Sequence, residues 1–225
     1  MKKAIILALC ALVLASCGPA NVLTRSSLYP KMYEEKPVVL LVLPPINNSS
    51  NVEAKEYLYT SISYPLAEAG YYVISPFLAM DILRSESAYD AELFVEAPLG
   101  NFERFFGADA VVFSEINTWT KRGFGIDTEI RYFIRSTSSG EILFDRTCDL
   151  YLDLSSTSSN NTLLGAVIDL AVSTLKTITT EHITAARSAN EFIFQDIPSG
   201  KYRDNYLQDQ ETEADRQNIS ATIKG

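Results

Sequence analysis

Residues 108–154 read ADAVVFSEINTWTKRGFGIDTEIRYFIRSTSSGEILFDRTCDLYLDL, and this stretch decides the fold. Its opening, Ala108 to Ile116, is an apolar run of strand length. Two alternating segments follow, Gly125 to Arg135 and Glu141 to Leu154, joined by Ser-Thr-Ser-Ser-Gly, which reads as a hairpin turn. If hairpin partners sum to 276, Ile134 faces Ile142, Tyr132 faces Phe144, Thr128 faces Cys148 and Ile126 faces Leu150. Even positions then share an apolar face. Odd positions share a charged one, with Arg131 opposite Asp145 and Arg135 opposite Glu141. Side chains alternate with period two, so a register that keeps parity on both arms is self-consistent. Arg146 is the intruding charge on the apolar face. Cys148 lies on the same face and reads as a small buried hydrophobe.

Upstream, Val38 to Leu43 is a continuous apolar run closed by Pro44 and Pro45, the pattern of a strand covered on both faces. From about Val52 to Ala69 the apolar residues Leu58, Ile62 and Leu66 recur at helical spacing. Pro65 should kink that helix, and Gly70 should stop it. Tyr71 to Ile74 is a short second strand. Short helices are expected around Phe77–Arg84 and Asn101–Phe106. A β-α-β-α-β order implies parallel pairing with right-handed crossovers. Downstream, Asn161 to about Ala189 carries a helical stripe of Leu164, Ile168, Ala171, Leu175 and Ile178. Charges interrupt it, so it reads as a helix packed on the sheet and not as a membrane span. EFIFQDIPSGKYRDNY then reads as an extended appendage, and the polar, acidic last stretch is expected to fray.

The N-terminus is an address. Residues 1–17 read MKKAIILALCALVLASC, with a short positive start at Lys2 and Lys3 and an uncharged run from Ala4 to Leu14. That run is too short for a ~20-residue membrane-spanning helix and suits a signal peptide. Leu14-Ala15-Ser16-Cys17 resembles the bacterial lipobox, which makes Cys17 the lipidation site and residues 1–16 the removed segment. Several acyl chains, at ~0.8 kcal/mol per buried methylene, anchor a protein for good. Loss of Lys2 and Lys3 takes the net charge from -9 to -11. Residues 17–36 lack periodicity and read as a lipidated tether, residues 37–190 as an α/β domain, and residues 191–225 as the appendage and tail. By resemblance to Gram-negative lipoprotein sorting, Gly18 is not an inner-membrane retention signal. Outer-membrane anchoring facing the periplasm is therefore expected.

The chain has 225 residues, 19 basic and 28 acidic. A nucleic-acid backbone needs a concentrated basic surface, so nucleic acid is excluded as a partner class. Of three cysteines, Cys10 leaves with the signal and Cys17 is acylated, so Cys148 has no intramolecular partner. His182 is the sole histidine and, beside Glu181, reads as a solvated helix residue. A zinc site needs three or four N, S or carboxylate ligands, which this inventory hardly supplies. No phosphate-binding glycine motif occurs. Asp145, Asp149 and Asp153 recur on the odd strand face. They read as solvated groups with cross-strand Arg partners, although a paired-carboxylate hydrolase, or one built on Cys148, is the enzymatic alternative. No catalytic residue, metal site or cofactor is assigned. Tyr57, Tyr59, Tyr64, Tyr71 and Tyr72 cluster around the first helix and second strand, where amphipathic aromatics suit either packing or an interface. A further alternative takes the hairpin 125–154 as one membrane hairpin of a multi-subunit pore.

VLLVLPPINNSS, GADAVVFSEI and IRYFIRSTSSGEILF resemble the TolB N-terminal domain and the curli-secretion channel subunit. PLAEAGYYVISPFLAMDILR, FGADAVVF with Trp119 behind it, the hairpin and IPSGKY are similar, in that order, to a Gram-negative lipoprotein family of unknown function, the meningococcal genome-derived antigen type. The likeness runs over roughly residues 30–205. It implies a three-layer α/β/α fold with a mixed five-stranded sheet, order 2-1-3-4-5 with strand 4 antiparallel. It also implies an accessory role in the envelope and a homodimer; the acidic body, the tether and the lack of a site constellation make that role a non-enzymatic interaction module that docks on an envelope protein partner in assembly or export. It supplies no catalytic residue.

Overall fold

A computed structural model describes residues 22–86, 89–155 and 170–224, the side chains of 170–179 excepted. The signal peptide, Cys17 and most of the apolar stripe read at 164–178 lie outside these described parts. Seven strands form one mixed sheet: β1 (Val39–Val42), β2 (Ile46–Asn47), β3 (Tyr72–Val73), β4 (Ala110–Arg122), β5 (Gly125–Ser136), β6 (Ile142–Asp153) and β7 (Asn218–Lys224). Their order is β3-β1-β4-β5-β6-β7, with β2 beside β4. The inner part of this order is the expected one, and β5 is antiparallel to both neighbours.

The expected count of five strands is corrected to seven. The parallel pairing with β4 resumes at Ile46, once the chain has passed Pro44 and Pro45, which gives β2. The tail does not fray, because Asn218–Lys224 pairs in parallel with Thr147–Asp153. Ile219, Ala221 and Ile223 alternate there and pack against the core, a short period-two signal hidden in a polar stretch.

The hairpin register is also corrected. Its partners sum to 278, so Ile134 faces Phe144, Tyr132 faces Arg146, Ile130 faces Cys148 and Ile126 faces Leu152. The slip is one full pleat, so the parity of the faces survives. A bulge where Arg135 meets Ile142 absorbs an extra residue. Leu143 is thereby buried and Ile142 exposed. A second bulge between Ile116 and Thr118 shifts parity along β4, which runs on past the expected end at Ile116. Trp119, at odd spacing, therefore enters the same cluster as Ile116.

Two apolar clusters take alternate residues of β1. Leu40 and Val42 join the larger one, with Ile116, Ile130, Ile134, Cys148 and Leu150 of the sheet. It is closed by α3 (Ala54–Ser61), α4 (Ser63–Glu68) and α7 (Leu170–Phe194). Leu41 and Leu43 join the other, with Val111, Phe113 and Phe133. Its helices are α5 (Pro76–Ser85) and α6 (Gly100–Phe106), with a 3-10 turn at Ala91–Phe94 between them. The single helix expected over 52–69 is interrupted at Ile62, three residues before Pro65, whose ring removes a donor and crowds the preceding turn.

Two further expectations change. Much of the region read as a tether is folded: α1 (Arg25–Leu28) and α2 (Pro30–Glu35) place Tyr29 and Met32 in the larger cluster. Backbone bonds from Arg25 N–H to Thr212 C=O (3.0 Å), Ser26 N–H to Gln210 C=O (3.1 Å) and Ala214 N–H to Leu23 C=O (2.9 Å) tie this entry to the C-terminal segment. The appendage is not extended either. Helix α7 continues through Phe194, and residues 197–202 are stitched to the turn after α4. There Gly200 N–H bonds Ala69 C=O at 2.7 Å, and Tyr202 N–H bonds Gly70 C=O at 3.0 Å. Gly70 has φ +90°, and a Cβ on Gly200 would lie 2.4 Å from the Gly70 carbonyl oxygen, so the close approach needs glycine.

Candidate functional site

Most of the groups that could have carried chemistry, Asp149 apart, are held in structural contacts among the described residues. Cys148 is fully buried, and burial pushes its thiol up to about 11, so little thiolate forms near neutrality. The expectation that His182 is solvated is corrected: it is buried beside Trp119 of β4. Trp119 Nε1–H donates to His182 Nδ1 at 2.8 Å, and the Tyr57 ring stacks on the imidazole at 5.5 Å. Burial, assisted by the nearby Lys121 charge, holds the imidazole below its ordinary pKa. An indole N–H can only donate, so this bond requires the neutral ring. Among the described residues its imidazole is engaged by Trp119 and Tyr57, and no thiol–imidazole pair with Cys148 forms.

The three aspartates do not form a facing pair. Arg131 grips Asp145 with two bonds, at 3.0 and 2.7 Å, and reaches Glu115 at 3.3 Å. Asp149 is exposed, and Asp153 caps the Ser155 N–H at 3.0 Å. Arg135 does not pair with Glu141. Its guanidinium donates to the carbonyls of Phe94, Val95 and Ala97, and Lys31 pairs with Glu141. The tyrosine cluster divides. Tyr59 and Tyr71 are core residues whose hydroxyls donate to Pro76 C=O (2.9 Å) and Pro198 C=O (2.6 Å), whereas Tyr64 and Tyr72 are exposed. The apolar face of the hairpin is covered, since Ile126, Ile130 and Ile134 are buried in the cluster that α7 closes.

Arg146 has a structural explanation. It is fully buried, donates to Ile193 C=O at 3.2 Å and pairs with Asp196 at 2.9 Å, with Asp215 at 3.8 Å. The acidic C-terminal segment brings both carboxylates to it. Asp209 is the companion hub, accepting from Arg25 (2.7 Å), Tyr33 (3.2 Å) and Ser199 N–H (2.8 Å). Burial alone would raise its carboxyl pKa. The Ser199 N–H and the Arg25 guanidinium outweigh that and hold it low.

Two surface features remain. A polar cleft of about 200 Å³ opens where the chain leaves β1, lined by Asn47, Lys55, Glu56, Arg84, Asp90 and Glu92. This is the crevice at the carboxyl ends of the strands, where α/β proteins commonly bind ligands, yet its charges are mixed and converge on no point the structure marks. The stronger feature was not legible as a site in the sequence. Helices α5 and α6 present exposed Phe77 (79%), Leu78 (56%), Ile82 (40%) and Phe105 (71%), with Leu93 (63%) between them. A groove of about 360 Å³ runs among Ile82, Leu83, Phe94, Pro98, Phe102 and Phe105, with Glu86 at its margin. Leu78 and Ile82 of α5 and Glu86 at its C-cap fall at spacing four, along one stripe of the helix. The amphipathic pattern of α5 reads as core, and its second apolar stripe shows as exposed only once Ala79 and Leu83 are seen to face the sheet.

The family described as "Putative lipoprotein GNA1162-like" matches residues 28–200. A "Putative lipoprotein NMB1124/NMB1162" of Neisseria meningitidis serogroup B is 27% identical over 151 residues, covering 64% of this chain and 68% of that one. Among solved structures, lipoprotein GNA1162 from Neisseria meningitidis is similar with a TM-score of 0.47 at 21% identity, over 64% of this chain and 99% of that one. The LpoB C-terminal domain from Salmonella enterica gives a TM-score of 0.37 at 15% identity, over 55% of this chain and 93% of that one. With the match running from the first buried helical segment through the Gly200 turn, the chain belongs to the GNA1162-like lipoprotein family.

Proposed function

We propose that the protein is a lipid-anchored, periplasm-facing outer-membrane module that serves envelope assembly or export by binding, not by catalysis. The observation that carries this reading is the apolar face of α5 and α6. Five large hydrophobic side chains between Phe77 and Phe105 are more than a third exposed, and two of them, Ile82 and Phe105, flank an apolar groove, which supports a surface that a partner covers. The anchor rests on the lipobox at Cys17 and on membership of a lipoprotein family. On this reading residues 1–16 leave as the signal. The folded body then begins by Leu23, whose carbonyl accepts from Ala214 N–H.

A photocrosslinking residue placed in living cells at Leu78 or Phe105 should yield a discrete adduct that the same residue at exposed Tyr202 does not. Labelled palmitate should enter the wild type and not Cys17→Ser. Absence of patch-specific adducts, or a soluble substrate turned over by the purified protein, would overturn the reading.

A further inference from the structure

We propose that the groove between α5 and α6 receives a basic, amphipathic helical segment of a partner protein. The inference deepens the binding reading above and rests on it. Shape supplies the first argument. The groove is open, about 360 Å³, floored by Leu83 and Phe102 and walled by Ile82 and Phe105, the form that accepts one apolar helix face. Charge supplies the second. Residues 76–106 carry Asp81, Glu86, Asp90, Glu92, Glu96 and Glu103 against only Arg84 and Arg104, and all eight are exposed. None of the six carboxylates takes part in an ion pair among the described residues. Of these charges, Glu86 lies on the groove, while Asp90, Glu92 and Arg84 line the neighbouring polar cleft, so the groove sits in a segment of net charge -4 (six carboxylates against two guanidinium groups), a setting complementary to a ligand with apolar anchors and lysine or arginine flanks.

The same net negative charge disfavours the other occupants. A second copy would set one acidic segment against another on a body already carrying net charge -9. An anionic membrane surface would be repelled. The tether helices also pack in the larger apolar cluster, through Tyr29 and Met32, whereas the groove is built on the other cluster, so the anchor enters on the opposite side of the sheet. Phe105 already holds a cation, with the Arg104 guanidinium 4.9 Å from its ring centroid, a contact that a partner lysine or arginine can take over.

The test uses the full lipidated chain in phosphatidylcholine nanodiscs. The probe is a labelled helical peptide with Leu or Phe at i, i+3, i+4 and i+7 and Lys between them. Its control carries Glu for Lys, and binding is read by anisotropy. The Lys peptide should bind at least tenfold tighter than the Glu peptide at low salt, with the difference shrinking as the Debye length falls to about 3 Å at 1 M. Phe105→Ser and Ile82→Ser should each weaken it severalfold with an unchanged melting temperature. Glu86→Lys with Glu103→Lys should reduce or invert the preference. Equal binding of both peptides, indifference to Phe105→Ser, Phe105-dependent capture of phosphatidylglycerol vesicles, or Phe105-dependent self-association in sedimentation would each overturn it. Peptide binding without patch-specific adducts in cells would leave this groove chemistry standing and refute the accessory role. Adducts without the charge preference would do the reverse.

Discussion

Arg146 and Asp196 should respond unequally to truncation. Arg146 is 0% exposed in its side chain, while Asp196 is 14% and Asp215 59% exposed. Asp196→Ala strands a buried guanidinium whose remaining carboxylate lies at 3.8 Å. Breaking a buried pair from one side costs about 3–5 kcal/mol because the orphaned charge cannot rehydrate. Arg146→Met instead removes the buried charge, fills the slot with apolar volume, and leaves two carboxylates that water can reach. Its cost should be about 1 kcal/mol, near the value of an ordinary lost hydrogen bond to Ile193 C=O. For a chain of this length, 1 kcal/mol shifts Tm by about 2–4 °C. Asp196→Ala should therefore lower Tm by roughly 6–20 °C and Arg146→Met by only a few degrees. Thermal and urea unfolding of the mature chain, followed by near-ultraviolet circular dichroism, measures both. The double substitution should resemble Arg146→Met alone. If Arg146→Met proves the more damaging, the pair stabilises by net attraction and the desolvation argument fails.

Other outcomes follow from the same packing. Protonating His182 sets two donors against each other at the Trp119 contact, and its folded pKa lies below its unfolded value near 6.5. The unfolded chain thus binds the proton first, so this contribution is complete above about pH 6.5 and is lost as pH falls below it. His182→Gln should flatten that part of a pH-dependent unfolding series, and an unchanged slope would contradict the assignment. Ile130→Asp should abolish folding, because it places an unpaired carboxylate in the core between β4 and β6. A folded soluble body that merely loses membrane insertion would instead favour the pore alternative. Gly200→Ala should lower the urea midpoint, since a Cβ 2.4 Å from the Gly70 oxygen forces the two turns apart. Cys148 should resist thiol reagents until the chain unfolds, which a stopped-flow labelling rate would reveal.

The amino-acid sequence by itself determined the inner sheet. Continuous apolar runs at Val38–Leu43 and Ala108–Ile116 and period-two alternation in 125–154 are one-dimensional records of burial on two faces and on one. Parity fixed which hairpin residues face the core even where the partners slipped by a pleat, because a two-residue slip returns every side chain to its own face.

Tertiary structure decided what depends on residues far apart in the chain. Bulges at Asn117 and at the Arg135–Ile142 junction reset parity only because neighbouring strands fix the register. Arg146 looked like an error in an apolar face until Asp196 and Asp215 arrived from 50 and 69 residues downstream. His182 looked solvated because its burial comes from Trp119, 63 positions away. The polar tail was committed to a seventh strand by the free edge of β6, and α5 was left with an exposed apolar stripe because the sheet could cover only one side of it.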